Sequence, residues 1–264
     1  MRPGVVVITG AGGGIGAALA NIYASQGVML GLVGRDEVRL GRVADDCRAK
    51  GADVHVLRAD VTTPEIEEVL RVFDASHPID LLIANAGVTS GISAVDGLEP
   101  WDTARRAAET NFMGALRTIA PVAERMAARG RGQIAGIGSL AALAPLPFSP
   151  AYSASKAGME TYVLALRYLL APKGVKLNVV TLGYVETDMS RRLSGPKPFL
   201  TTPAKAAIKI RNGLARNRAR ISYPFVFAMG IRCLNILPEW LVRLILPAFA
   251  FTISRQGASI DRLK

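Results

Sequence analysis

Tyr152 and Lys156 stand four positions apart at the head of a long helical pattern, in Tyr152-Ser153-Ala154-Ser155-Lys156. Side chains four apart share one helix face, so a phenol oxygen and an ammonium can converge there. A free phenol has a pKa near ~10, too high for proton exchange close to neutrality, and a nearby positive charge lowers it. The spacing thus places a phenol beside a cation. Ser139 lies thirteen residues earlier, at the end of an apolar strand pattern. Asn111 sits inside a further helical pattern, Glu109-Thr110-Asn111-Phe112. Asparagine is a mediocre helix former because its side chain competes for backbone hydrogen bonds, so a sheet-facing Asn there needs a purpose. Tyr-x-x-x-Lys alone is a weak signal, and its order and context decide its weight.

The element that must position these groups stands at the start of the chain. Val5-Val6-Val7-Ile8-Thr9 reads as a buried strand, Gly10-Ala11-Gly12-Gly13-Gly14-Ile15-Gly16 as a tight turn, and Ala17 onward as a helix. Such a turn lets a diphosphate approach the main chain, and the helix N-terminus adds unpaired N–H groups and partial positive charge. Further strand patterns cover residues 28–34, 53–58, 79–84, 133–138, 175–182 and, shortly, 220–223. Helical patterns cover 37–50, 101–129, about 152–171 and 202–218, with Asp36 capping the first and Thr63 capping another that opens on Pro64. Strands alternating with helices predict an α/β fold, a Rossmann-type doubly wound parallel sheet of about seven strands. At the end of the second strand, Gly34 occupies the place of the carboxylate that binds ribose hydroxyls, and Arg35 follows. A cation there favours the 2′-phosphate of NADP(H), with NAD(H) as the alternative.

The spacing Thr9-Gly10-x-x-x-Gly14-x-Gly16, the run Asn85-Ala86-Gly87, Ser139, Tyr152-x-x-x-Lys156 and the pair Gly183 and Thr187 occur in one order. Together they resemble the classical short-chain dehydrogenase/reductase family, over about residues 3–223. Ala84 replaces the family's first Asn and Leu182 its Pro. The resemblance implies an NAD(P)-dependent oxidoreductase that interconverts a ketone or aldehyde and an alcohol by direct hydride transfer. It implies that Ser139 holds the substrate oxygen and that Tyr152 is the general acid or base. Lys156 lowers the phenol's pKa and holds the nicotinamide ribose, and Asn111 carries a water of the proton path. It assigns cofactor contacts to Thr9, Gly10, Gly12, Gly13, Gly14, Ile15, Gly16 and Arg35. Others fall on Asp60 (adenine amino group), Val61, Asn85, Ala86, Gly87, Tyr152, Lys156, Gly183, Val185 and Thr187 (carboxamide). A homodimer or homotetramer through the helices of Asn111 and Tyr152 is expected. A catalytically silent cofactor-binding scaffold is the alternative function.

The chain has 264 residues, half of them hydrophobic, which suits one large core. Cys47 and Cys233 are distant, His55 and His77 isolated, so no metal site is expected, and a reducing, cytoplasmic setting is. No secretory signal is expected from the short apolar run after Arg2. The net charge of +11 is lopsided: residues 189–264 hold fourteen Lys/Arg and two acids, a net of +12. The catalytic domain is expected over residues 1–223, and residues 224–264 read as a pair of short amphipathic helices rich in Phe and Trp. Three roles stay open for them: peripheral contact with an anionic membrane, an apolar lid or oligomer contact over the site, and, least, nucleic-acid binding. Extensions of this kind look like those of reductases acting on lipid-linked or cell-surface saccharide intermediates.

Overall fold

The computed structural model describes residues 3–92 and 98–245, and the backbone of 252–253. The apolar runs form β1 (Val5–Thr9), β2 (Met29–Gly34), β3 (Asp53–Arg58), β4 (Leu81–Ala84), β5 (Gly132–Ser139) and β6 (Val175–Leu182). The short β7 (Leu193–Ser194) follows, then β8 (Arg220–Tyr223). All but β7 pair in parallel, in the order β3-β2-β1-β4-β5-β6-β8. Strands buried on both faces need no alternation, which is why β1 and β4 read as continuous apolar runs. The helices are α1 (Gly14–Tyr23), α2 (Glu37–Arg48), α3 (Glu65–Ser76), α4 (Trp101–Ala108), α5 (Gly114–Ala128) and α6 (Pro150–Leu170). After β6 come α7 (Asp188–Arg191), α8 (Pro203–Ala215), α9 (Phe225–Leu234) and α10 (Glu239–Ile245).

One face of the sheet buries Leu19, Leu40, Ala44, Ile210 and Leu214 from α1, α2 and α8. The other buries Ile66, Leu70, Ile119, Val122, Met159 and Val163 from α3, α5 and α6. The sheet is thus wound in both directions from β1, and the crossovers diverge between β1 and β4. That divergence opens a crevice at the strands' carboxyl ends.

Two local expectations meet different fates. The Asp36 carboxylate accepts from the Arg39 N–H at 3.0 Å and caps α2. The Thr63 hydroxyl does not cap α3; it donates to the Asp60 carbonyl at 3.0 Å, and Pro64 takes the cap position. Residues 190–203 contain β7, which pairs antiparallel with β9 (Thr252–Ile253).

Gly14 has φ of +53°, a left-handed conformation that only glycine adopts freely. Gly16 serves packing instead: a Cβ there would lie 2.2 Å from the Gly10 carbonyl oxygen. Gly16→Ala is therefore expected to destabilise the fold by about 1–3 kcal/mol, read from urea unfolding; an unchanged midpoint would contradict this contact.

Candidate active site

A cleft of about 500 Å³ runs along the carboxyl ends of β1, β2 and β4–β6. At one end it is lined by Gly34, Arg35, Asp36, Arg39, Asp60 and Val61. The glycine turn follows with Gly10, Gly12, Gly13, Gly14 and Ile15, then Asn85, Ala86 and Gly87 in the middle. At the other end stand Ser139, Tyr152, Lys156, Gly183, Val185 and Thr187. Residues remote in sequence thus meet on one floor.

Thr9, Gly16 and Asn111 do not line it, and each has a structural task. The Thr9 hydroxyl accepts from the N–H groups of Asn85 and Ala86 at 3.0 and 3.1 Å. The Asn85 amide donates back to the carbonyls of Thr9 and Gly10 at 2.9 and 3.2 Å. These four bonds close the ends of β1 and β4 where the ladder stops. Asn111 lies in a π-helical turn, Glu109–Met113, between α4 and α5. Its carbonyl oxygen accepts from the Val88 N–H at 2.8 Å, and its amide donates to the Val88 carbonyl and the Ser155 hydroxyl at 2.9 and 3.1 Å. These bonds fasten the segment after β4 to α6.

Ser139 ends β5, and its Oγ accepts from the Ala141 N–H at 3.2 Å. Tyr152 lies in the first turn of α6, whose N-terminus is fixed by Pro150 and by the Glu99 carboxylate accepting from the Ala151 N–H at 2.9 Å. Its side chain is partly buried at the cleft wall. Burial pushes its pKa up, a Ser139 hydrogen bond opposes that shift, and neighbouring Tyr184 adds to it. Lys156 is also buried, and burial pulls it down to about 8 against the opposing charge of Glu160. Its Nζ donates to the Ile137 carbonyl at 2.8 Å. Among the protein groups, desolvation dominates both side chains.

The far end is cationic. Arg35 reaches Asp60 at 3.4 Å with 70% of its side chain exposed. One Asp60 oxygen accepts from the Thr62 N–H and hydroxyl at 2.9 and 2.8 Å. Burial raises this carboxyl, but the Thr62 bonds and Arg35 outweigh it and hold it below the usual range. Arg39 is a site residue that the sequence pattern does not single out. It lies beside Gly12 and Gly13 and bonds Asp188 at 2.6 Å, linking α2 to α7 over the turn. Its one signal in the sequence is its place four after Arg35, one helical turn on. Thr187 caps α7, accepting from the Ser190 N–H at 3.3 Å, so its hydroxyl is engaged locally while its methyl faces Gly14.

The substrate end is apolar. Leu140, Ala141, Ala144 and Leu146 form one wall and Met189 and Leu193 another, with Tyr184 between. The third wall is α9, through Phe227, Ile231 and Leu234. Ala228 is fully buried against Leu140 and Leu143, and the Asn235 amide donates to the Leu143 carbonyl at 2.6 Å. The first helix of the extension is thus part of the site. Among the described residues no group of three His, Cys, Asp or Glu could hold a metal ion, and no helix is long and apolar enough to cross a membrane.

A family model described as short chain dehydrogenase matches residues 4–197. An uncharacterized oxidoreductase of Myxococcus xanthus is 34% identical over 235 residues, spanning 88% of this chain and 92% of the relative. A short-chain dehydrogenase from Sphingobium yanoikuyae, solved in complex with NADPH, superposes with TM-score 0.78 at 28% identity, covering 98% of this chain and 99% of that one. A bulky-bulky ketone specific alcohol dehydrogenase from Comamonas testosteroni gives TM-score 0.76 at 27% identity, covering 99% and 98%.

The buried lysine has a signature in stability. Its folded pKa of about 8 lies below the ordinary 10.5, so between those values the unfolded chain binds more protons and stability rises with pH. Below about pH 8 both states are protonated and that gain is absent. Wild type should gain stability relative to Lys156→Met as pH rises from about 8 to 10, measured by denaturant unfolding; a flat difference would mean the lysine is not desolvated.

Proposed function

The chain belongs to the short-chain dehydrogenase family, and on that premise we propose that it interconverts an uncharged ketone bearing two apolar substituents and its secondary alcohol, with NADP(H). The observation that carries this reading is the single cleft with Tyr152, Ser139 and Lys156 at an apolar end and Arg35 and Arg39 at the other.

The residues fit a nicotinamide dinucleotide. Gly12 and Gly13 present bare backbone to the cleft, and α1 has no acidic residue in its first turn, so a diphosphate meets N–H groups and no opposing charge. Asp60 and Val61 would hold the adenine, Lys156 the ribose beside the reacting centre, and Gly183 and Val185 the carboxamide. Arg35 and Arg39 favour a 2′-phosphate, because Gly34 offers no carboxylate and the Asp36 carboxylate caps α2. The NADPH bound in the Sphingobium relative agrees with that choice. The cofactor, when bound, supplies or accepts the hydride.

Ser139 donates to the substrate oxygen and orients it. Tyr152 gives that oxygen a proton in reduction and takes it back in oxidation. Lys156 and the positive ring of the oxidised cofactor oppose the burial that keeps the phenol protonated. The walls from residues 140–146, α7 and α9 desolvate substituents on the reacting carbon. Among the described residues of the substrate-end lining, the one cation, Lys156, already bonds the Ile137 carbonyl, so the phosphate of a lipid-linked saccharide meets no free cation there. This disfavours the saccharide intermediate suggested by the extension, and the bulky ketone preference stated for the Comamonas relative points the same way.

Assembly as a homodimer or homotetramer through α4–α6 is part of the proposal, supported by exposed Trp101, Met113, Tyr168 and Leu169 on those elements. A cytoplasmic setting is also part of it, supported by the free Cys47 and Cys233. The domain boundary is drawn at residue 223, with α9 serving the catalytic site. Contact of an anionic membrane with the outer face of α9 and α10 rests on exposed Phe225, Val226, Trp240 and Leu244.

Purified protein should oxidise NADPH with dialkyl and aryl ketones in preference to keto acids and aldoses. Tyr152→Phe should lower kcat by roughly 10²–10⁴-fold with NADPH affinity kept; equal inertness of wild type and variant, with cofactor still bound, would favour a silent scaffold. Arg35→Ala should weaken NADPH binding by about 1.5–3 kcal/mol, roughly tenfold to a hundredfold, and leave NADH nearly unchanged. An equal loss for both cofactors, by titration calorimetry, would remove the NADP(H) preference.

A further inference from the structure

We infer that Glu160 is a positioning residue for this reaction: with Thr181 and Arg220 it forms a buried anionic support that keeps Lys156 protonated. The inference rests on the oxidoreductase reading above, because it assigns a purpose to the charge on Lys156.

Lys156 and Glu160 are one turn apart on α6, and both are about 5% exposed or less. They pack against consecutive residues of β5. Lys156 donates to the Ile137 carbonyl, and Glu160 Oε1 lies where a Cβ on Gly138 would come within 2.3 Å. The carboxylate is satisfied from two further elements. Thr181 on β6 donates to Oε1 at 3.1 Å, and Arg220 on β8 donates to Oε2 at 2.9 Å. A buried carboxylate is costly unless it is paired and hydrogen-bonded. The guanidinium partner at 2.9 Å and the hydroxyl supply both conditions and favour the ionised form, against the burial that pushes its pKa up.

The charged and titratable groups around the pair among the described residues are few. On α6 they are Tyr152, Lys156 and Glu160; Tyr184 follows β6, and Arg220 comes from β8. Glu160 is the only anion among them. Burial pulls the Lys156 pKa down to about 8 even against the Glu160 charge, so a change in one neighbouring charge bears directly on its state. Arg220 has a 40% exposed side chain, so the outer member can be changed without opening the core. Sequence pattern alone gives no warning of this, because Glu160 in a helix reads as surface.

The direct test is the titration of Lys156, followed by its ¹³Cε shift in protein carrying labelled lysine and assigned by its loss in Lys156→Met. Glu160→Gln should lower the Lys156 midpoint by about one unit or more. Arg220→Met should lower it in the same direction, and Arg220→Lys should restore it. The alkaline limb of kcat for ketone reduction should move with these midpoints at saturating NADPH. A midpoint unmoved in folded Arg220→Met and Glu160→Gln overturns the inference. Should Glu160→Gln fail to fold, the Arg220 pair decides alone. Absence of turnover in wild type would count against the proposed function, while the titration still decides the role of Glu160.

Discussion

The structure depends on a lock between β1 and β4. Where their ladder ends, the chain diverges, and bare parallel strands would leave unpaired N–H and carbonyl groups in a buried crevice. The side chains of Thr9 and Asn85 satisfy those groups with four bonds, which also take in the Ala86 N–H and the Gly10 carbonyl. The unmet cost would be about 1–3 kcal/mol per buried polar group. The lock also sets the distance between the glycine turn and the segment Asn85-Ala86-Gly87. The floor of the cleft spans that distance, so the site follows from hydrogen-bond satisfaction at a topological switch point.

A second layer of constraint is electrostatic. Burial drives both Tyr152 and Lys156 toward their neutral forms. The protein counters this with Ser139 on the phenol and Glu160 beneath the lysine. Asn111 contributes geometry instead of charge. Its π-helical turn presses the amide onto Val88 and Ser155, which ties the floor of the cleft to the helix bearing the phenol and the ammonium.

The two ends of the cleft obey opposite rules. The end at β2 and β3 is open, and its arginines keep much of their contact with water. The end at β5 and β6 is closed by three apolar walls, the last supplied by α9. The excess positive charge of the final quarter of the chain therefore does not describe the site it helps to close. The inner face of α9 is set by Phe227, Ala228 and Ile231.

What the sequence determined by itself was everything carried by local periodicity and by spacing along the chain. The seven parallel strands, the glycine turn, the Asp36 cap and the meeting of Tyr152 with Lys156 on one helix face follow from neighbours within a few residues. Tertiary structure decided the rest, because it depends on partners that spacing cannot locate. Thr9 and Gly16, expected as cofactor contacts, serve the β1–β4 lock and the packing of α1. The Thr63 hydroxyl turns back to the Asp60 carbonyl instead of capping α3, and Arg39 gains its place over the turn through Asp188. Whether α9 was a membrane element or a wall could not be read from its amphipathic pattern, since the pattern shows only that one face is apolar. Which surface covers that face is a property of the assembled fold.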